Sequence, residues 1–244
     1  MNSGYIAILD SGIGGFSVLI ETARRTKGER FLYFGDNKNA PYGNKSKSEL
    51  YNLLRKNLSL ILKYNVKAII IGCNTLSVSV LPIIRPTCDV PLFGVYPPVD
   101  KRSGRTYLFA TPVTCSYCKN ARGITIFPLA NLATDIEKNK MRLGFVDIKN
   151  HISVNTSLNS ASRPETLILG CTHYFFVKKQ FTDHFCPRKI YSGEEETAKR
   201  VKKYLNKNAL MSKNKEFTVD FIGENAEENF NFYNMVVKDL IFQK

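Results

Sequence analysis

The sequence predicts an α/β fold in which mainly parallel strands alternate with helices in a doubly wound arrangement. Three observations lead to this prediction. Apolar runs rich in β-branched and aromatic residues recur along the chain, and most are nearly continuous, as is typical of strands covered on both faces. Helical periods lie between many of these runs. The chain has 244 residues, of which 43% are hydrophobic and 23% charged, so it can bury a core of its own.

The individual elements follow from the same patterns. Nine apolar runs are predicted as strands, at residues 5–9, 30–34, 67–71, 90–95, 105–110, 123–127, 166–170, 188–191 and 217–222. Helices are predicted over 16–25 and 48–64, where Leu and Ile recur at three- and four-residue spacing. A third helix is predicted over 192–205, because this segment begins with Ser-Gly and three acidic residues and ends with basic residues.

Composition and charge exclude several classes of protein. No stretch approaches the roughly 18 apolar residues of a membrane helix, and the N-terminal segment lacks the pattern of a signal peptide. We therefore expect a cytoplasmic protein with six free thiols. The net charge of +14 is interpreted as a Lys-rich solvated surface, because no nucleic-acid-binding motif is present. Nucleic acid and membrane are not expected as partners.

One phrase occurs twice, as IIIGCNTLSV at residues 69–78 and as LILGCTHYFF at residues 167–176. In each copy a predicted strand ends in Gly-Cys and a polar cluster follows, for which Asn74-Thr75 and Thr172 are the expected helix N-caps. A helix N-terminus lowers the pKa of a thiol and offers free N–H groups to an anion. If two such units face each other, the thiols of Cys73 and Cys171 flank a ligand. One could then remove a proton from carbon while the other returns a proton to the opposite face.

Six segments resemble glutamate racemases in their order and context: IAILDSGIGGFSV, FLYFGDNKNAPYG, IIGCNTLS, FATPVT, LILGCTHYF and YSGEEETAKRVKKYL. The resemblance implies two similar doubly wound α/β domains with the active site in the cleft between them. The expected boundaries are 1–96 plus 190–244 for the first domain and 97–189 for the second. It also implies interconversion of L- and D-glutamate without cofactor or metal, which supplies D-glutamate for peptidoglycan. A second copy of the chain is a candidate partner, as a homodimer.

The resemblance also implies roles for individual residues. Cys73 would act on the D-enantiomer and Cys171 on the L-enantiomer, and Asp10 and His173 would assist the two thiols. The residues expected to bind the substrate are Asp10, Ser11, Pro41, Tyr42, Gly43, Asn74, Thr75, Thr114, Thr172 and His173. Either Asp135 or Glu137 matches the acidic position that the family has in mid-chain.

The sequence departs from the family pattern at several positions. Leu76 stands where the family usually has Ala, Phe175 where it prefers Pro, and Pro97 where it often has Glu or His. The connections at 99–104 and 118–123 are shorter than usual. An isomerase acting on another amino acid such as aspartate, and a non-catalytic ligand-binding relative, are therefore kept as alternative functions.

Two other motifs have rival interpretations. GIGGFS at 12–17 nearly matches a dinucleotide-binding fingerprint, with Asp36 at the end of the next predicted strand. CSYC at 115–118 could form a zinc site with His184 and Cys186. We favour neither, because an incomplete fingerprint is weak and the second zinc pair is not a proper knuckle. Cys88 and Cys186 are interpreted as structural.

Overall fold

The computed structural model describes residues 4–152 and 163–242. The strands of this part are β1 (Tyr5–Asp10), β2 (Arg30–Gly35), β3 (Val66–Ile71), β4 (Leu92–Gly94), β5 (Thr106–Ala110), β6 (Ile124–Pro128), β7 (Thr166–Gly170), β8 (Lys189–Ser192) and β9 (Thr218–Phe221). Its α-helices are α1 (Gly15–Arg25), α2 (Lys47–Ile61), α3 (Asn74–Ser79), α4 (Leu81–Ile84), α5 (Pro112–Cys118), α6 (Leu132–Lys138), α7 (Lys149–Ile152), α8 (Lys178–Phe185), α9 (Glu194–Lys207), α10 (Ala226–Phe232) and α11 (Lys238–Phe242). Each predicted strand and each of the three predicted helices is found at its predicted place.

The strands form two sheets with parallel pairing throughout. The first sheet has the order β4-β3-β1-β2-β9 and the second the order β6-β5-β7-β8. The two orders are equivalent over four strands, because β1 to β4 are arranged as β5 to β8 are. The predicted fold class, two similar doubly wound α/β units with parallel sheets, is confirmed.

The topology points to one edge of each sheet as the place for a site. The first strand of each unit, β1 or β5, lies between the second and the third strands, so successive connections run to opposite sides. At such a reversal a crevice opens beyond the carboxyl ends of the strands. Asp10 is the last residue of β1, and Cys73, Thr111 and Cys171 follow β3, β5 and β7.

The C-terminal part of the chain returns to the first sheet. After β8, which belongs to the second sheet, α9 packs against α1 and leads to β9 at the edge beside β2. The domain division predicted from the sequence has its second boundary between residues 189 and 190, inside β8. That division remains a prediction.

Burial on both faces explains the continuous apolar runs. In β1, Ile6 and Ile8 face a hydrophobic cluster with α1, whereas Ala7 and Leu9 face a second cluster with α2. All four side chains are fully buried. The first cluster continues into the second unit through residues such as Phe109, so the two units share apolar contact as well as the crevice.

The remaining connections are short. The segments at 99–104 and 118–123 contain only a 3-10 turn (Val99–Lys101), the last residue of α5 and tight turns.

No helix within residues 4–152 and 163–242 has both the length and the apolar character needed to cross a bilayer.

Candidate active site

The two predicted thiols lie at equivalent positions. Cys73 is the N-cap residue of α3, and Cys171 is the N-cap residue of the 3-10 segment Thr172–Val177. The expectation that Asn74 and Thr172 cap these segments is wrong. The Asn74 side chain donates to the carbonyl of Val95 at 3.1 Å, and the Thr172 hydroxyl donates to Oδ2 of Asp10 at 3.2 Å. Each segment begins one residue earlier than expected, so Asn74 and Thr172 lie inside its first turn and their side chains donate to acceptors outside it.

Both thiols line one pocket between the sheets. Its wall consists of Ser11, Pro41, Tyr42, Gly43, Cys73, Asn74, Thr75, Thr111, Ala133, Cys171, Thr172 and His173. Of the predicted site residues, Asp10 and Thr114 lie outside this wall. The cavity volume of about 10 Å³ corresponds to the space of roughly one water molecule. The two units are thus closed on each other at the thiols.

Asp10 is the ionisable neighbour of Cys73. Its Oδ1 accepts from the Gly12 N–H at 3.1 Å and from the Ser11 hydroxyl at 3.3 Å. Burial raises the pKa of the Asp10 carboxyl to about 6, although His173, the Gly12 N–H and the Thr172 hydroxyl act against the rise. Burial and the charge of Asp10 together raise the pKa of the Cys73 thiol far above its usual value. The Leu76 N–H in the first turn of α3 acts to lower the pKa of Cys73, as the sequence suggested, but burial and Asp10 outweigh it.

His173 is the ionisable neighbour of Cys171. Its imidazole hydrogen-bonds with the Cys171 thiol, and its Nε2 lies 2.9 Å from Oε2 of Glu137. Burial alone would lower the pKa of His173, but these two partners raise it well above its usual value. Burial acts to raise the pKa of Glu137, but His173, Lys140 and the Ile13 N–H outweigh it and lower that pKa to about 2. Glu137 and His173 thus form a buried ion pair.

The structure brings Glu137, and not Asp135, to the site. Asp135 accepts from Nδ2 of Asn139 at 2.7 Å and lies 3.1 Å from Nε2 of His151, away from the pocket wall. The two acids are two residues apart on α6, so they point in different directions around the helix. Sequence periodicity alone left this choice open.

The glycine-rich turn after β1 accommodates protein groups from the second unit. A side chain at Gly12 would collide with the Glu137 carboxylate, and one at Gly14 would lie 2.5 Å from Oγ1 of Thr172. The Ile13 N–H, two residues before α1, donates to Oε2 of Glu137 at 2.9 Å. A protein carboxylate thus uses an N–H group of this turn and the space beside Gly12, which argues against the dinucleotide interpretation.

Tyr42 and Asp36 belong to a buried polar cluster beside the pocket. The Tyr42 hydroxyl donates to Oδ2 of Asp36 at 2.5 Å, and the Asn57 amide donates to both. Asp36 also accepts from Asn39 at 2.8 Å. The Tyr42 ring can therefore contact a ligand in the pocket, while its hydroxyl holds the segment that carries Pro41 and Gly43.

Thr111 is a pocket residue that sequence reasoning missed. Its hydroxyl is 3.0 Å from that of Thr75 in the first unit and 3.0 Å from that of Thr114. Thr114, which was predicted instead, lies fully buried behind it. The sequence signal for Thr111 was present, because this residue stands at the carboxyl end of a predicted strand, as Cys73 does.

Two further residues contact Glu137 and were also missed. Asn37 donates to Oε1 of Glu137 at 2.6 Å, and Nζ of Lys140 lies 3.0 Å from the same oxygen. Asn37 belongs to a polar cluster after β2, which the sequence flags. Nothing in the local sequence singles out Lys140.

The zinc interpretation of CSYC finds no geometric basis. In the described ranges, no group of three or more His, Cys, Asp or Glu side chains is arranged to hold a metal ion. Cys115 is buried with Leu108 and Ile168, and Cys186 is exposed at the end of α8.

Comparison with known proteins gives one consistent answer. No protein-family model matches the chain. A curated glutamate racemase from Clostridium acetobutylicum is 32% identical over an alignment of 229 positions, which covers 85% of this chain and 86% of the relative. One from Clostridium novyi is 30% identical over 242 residues, covering 91% and 93%.

Solved structures agree in fold. A glutamate racemase isoform from Bacillus anthracis superposes with a TM-score of 0.82 at 23% identity, covering 100% of this chain and 96% of the other. The glutamate racemase from Thermus thermophilus, in complex with β-chloro-D-alanine, superposes with a TM-score of 0.74 at 26% identity, covering 97% and 95%.

Proposed function

The chain belongs to the glutamate racemase family, whose members are isomerases, and from this premise we propose that it interconverts L- and D-glutamate without a cofactor. One observation carries the proposal. Two thiols, each after the third strand of an equivalent sheet, line the same pocket from opposite units. A two-base racemisation needs two such groups on opposite faces of one carbon. The D-glutamate would serve peptidoglycan synthesis.

The reaction is a 1,1-proton transfer. In the D-to-L direction the Cys73 thiolate takes the α-proton, so the Cα–H bond breaks and an S–H bond forms. The Cys171 thiol then gives its proton to the opposite face of the α-carbon and is left as thiolate. The reverse direction exchanges the roles. One thiol is charged and one is neutral at each stage, so the pair titrates jointly.

Asp10 is the group that can receive the thiol proton of Cys73. With a pKa of about 6 it is mainly a carboxylate near neutral pH. Burial and this negative charge make the Cys73 thiolate unfavourable. The α-ammonium group of a bound amino acid adds a positive charge, which favours thiolate formation. Deprotonation of Cys73 is thereby linked to substrate binding.

His173 plays the matching part for Cys171. Its imidazolium, stabilised by Glu137, can give a proton to the Cys171 thiolate, and the imidazole that results can take the proton back from the thiol. The hydroxyl and amide groups of Ser11, Asn74, Thr75, Thr111 and Thr172 line the same pocket and can bind carboxylate oxygens. A pocket with room for about one water must widen to admit an amino acid, so we propose that the two units separate during turnover.

Circular dichroism tests the proposal directly. The signal of either pure L- or pure D-glutamate, incubated with purified protein, should decay to zero, and a chelator should not change the rate. L-aspartate is assayed in parallel. Decay with aspartate alone would assign another substrate, and a stable signal with both would indicate a ligand-binding relative. Growth of a D-glutamate auxotroph supplied with the gene tests the link to peptidoglycan.

A further inference from the structure

Lys140 lies between two carboxylates from different parts of the chain. Its Nζ is 3.0 Å from Oε1 of Glu137 and 2.7 Å from Oε1 of Glu228 on α10. The side chains of Lys140 and Glu137 are only 12% and 11% exposed, whereas that of Glu228 is 45% exposed. The lysine thus connects the helix that follows β9 to the acid that holds His173.

The Glu137 carboxylate has a full set of partners. Oε2 receives the Ile13 N–H and faces Nε2 of His173, each at 2.9 Å. Oε1 receives Asn37 at 2.6 Å and Lys140 at 3.0 Å. Two donors on each oxygen use the lone pairs that a carboxylate offers. His173 and Lys140, the two cationic partners, lie on different oxygens and therefore share one negative charge.

We propose that Lys140 is a positioning residue of the acid–base site, which shares the Glu137 carboxylate with His173 and so divides the charge of Glu137 between the site and α10. This inference rests on the proposed function of the site. It adds a residue outside the pocket wall and assigns α10 a part in setting the protonation state of His173.

The charges around the Glu137–His173 ion pair determine in which direction a substitution shifts the pKa of His173. His173 faces Glu137 from α6, Asp10 from β1 and Cys171 from its own segment. Glu137 interacts with the same Asp10 and with Tyr33 of β2. Lys140 faces Glu137 and Glu228; burial acts to lower its pKa, but these two acids raise it, so it remains a cation.

Two substitutions break the Lys140–Glu228 ion pair but shift the pKa of His173 in opposite directions. Lys140→Gln leaves the charge of Glu137 to His173 alone and removes a nearby cation, so the pKa of His173 should rise. Glu228→Gln leaves Lys140 to Glu137 alone, so the pKa of His173 should fall. Both variants lose the contact between α10 and the segment after α6. A purely structural tether would therefore affect both in the same way.

The experiment follows the ¹⁵N resonances of the His173 ring as a function of pH in the wild type and in both variants. We expect a midpoint higher by on the order of one pH unit in Lys140→Gln, and a smaller shift to lower pH in Glu228→Gln. Lys140→Arg should restore the wild-type midpoint. Lys138→Gln, which changes an exposed lysine at the end of α6, is the matched control and should not move it.

Coincident His173 titrations in all proteins would overturn the inference, even if both variants melt at lower temperature. So would a shift in the same direction in both variants. Racemisation by the wild type is assayed separately. If the wild type does not racemise glutamate, the proposed function fails, whereas the titrations still decide whether Lys140 acts on His173 through Glu137.

Discussion

At the scale of single residues, the two thiols have equivalent positions but different ionisable neighbours. Cys73 lies beside the carboxyl of Asp10 and accepts hydrogen bonds from the Leu76 N–H and from Ser11. Cys171 lies beside the imidazole of His173. One thiol is therefore next to a carboxylate and the other next to an imidazolium. This asymmetry suits a pair that acts on two enantiomers, each presenting its α-proton to a different thiol.

Replacing one thiol at a time tests whether racemisation needs both Cys73 and Cys171. Serine is nearly the same size as cysteine but a much weaker base at neutral pH. Cys73→Ser and Cys171→Ser should each abolish racemisation, with a loss of at least about 10²-fold, while the fold persists. The change is measured by circular dichroism of glutamate. Cys186→Ser, at an exposed position, is the control and should retain wild-type activity.

The surviving thiol should still remove a proton from its own enantiomer. With a substrate that carries a good leaving group on the next carbon, elimination needs only one base. We expect Cys171→Ser to eliminate from the D-enantiomer alone and Cys73→Ser from the L-enantiomer alone. If both variants preferred the same enantiomer, or if either racemised normally, the paired-thiol mechanism would be wrong.

At the scale of elements, the turn between β1 and α1 sets how closely the two units approach. Gly12 and Gly14 leave room for the side chains of Glu137, Thr172 and His173. The Ile13 N–H, two residues before α1, then donates to a carboxylate from α6. A helix N-terminus favours a negative charge at this place, so the backbone of one unit stabilises the ionised acid of the other.

Gly12→Ala tests this close approach. The added methyl group would collide with the Glu137 carboxylate, which its four donors hold in place. We expect a loss of most racemase activity and a destabilisation of about 1–3 kcal/mol, measured by urea denaturation. Gly144→Ala is the matched control, because no described atom lies within 4 Å of its added methyl group. Equal behaviour of the two variants would show that the turn tolerates a side chain.

At the scale of the whole molecule, the interface between the units combines an apolar cluster with a polar crevice. The apolar cluster runs through both units, and a ring contact of 5.5 Å joins Phe176 to Phe232. Around the thiols, by contrast, the units meet through hydrogen bonds such as Thr172 to Asp10. The polar side can therefore open while the apolar side keeps the units together.

Hydrogen exchange should detect this opening. The amide of Ile13 is bonded across the crevice to Glu137, whereas that of Ile8 lies inside β1, and both residues are fully buried. If the crevice opens without global unfolding, the Ile13 amide should exchange at least about tenfold faster than the Ile8 amide. D-glutamate should slow exchange at Ile13 only. Equal protection of both amides would mean that the crevice opens only when the protein unfolds.

Much of the fold could be predicted from the sequence because its signals are local. A strand buried on both faces must be apolar at every position, so β1, β3 and β7 are visible as continuous runs. Both cysteines were found for a related reason. Cys73 follows Gly72, just beyond β3, and Cys171 follows Gly170, the last residue of β7. Sites in parallel sheets form at these carboxyl ends of the strands.

The partners of these residues were decided by tertiary structure alone. Ile13 and Glu137 are 124 residues apart in sequence, and Asp10 and Thr172 are 162 apart. The choice of Glu137 over Asp135, the part of Thr111 and the position of Lys140 depend on such contacts. So does the raised pKa of Cys73, because burial and the charge of Asp10 exist only after the chain has folded. The sequence by itself determined the strands, the three longest helices and the two thiols, since each depends on a few neighbouring residues. The network of charges around the thiols forms only when the two sheets, which come from different segments of the chain, pack together. Electrostatic interactions depend on distances that the chain acquires on folding.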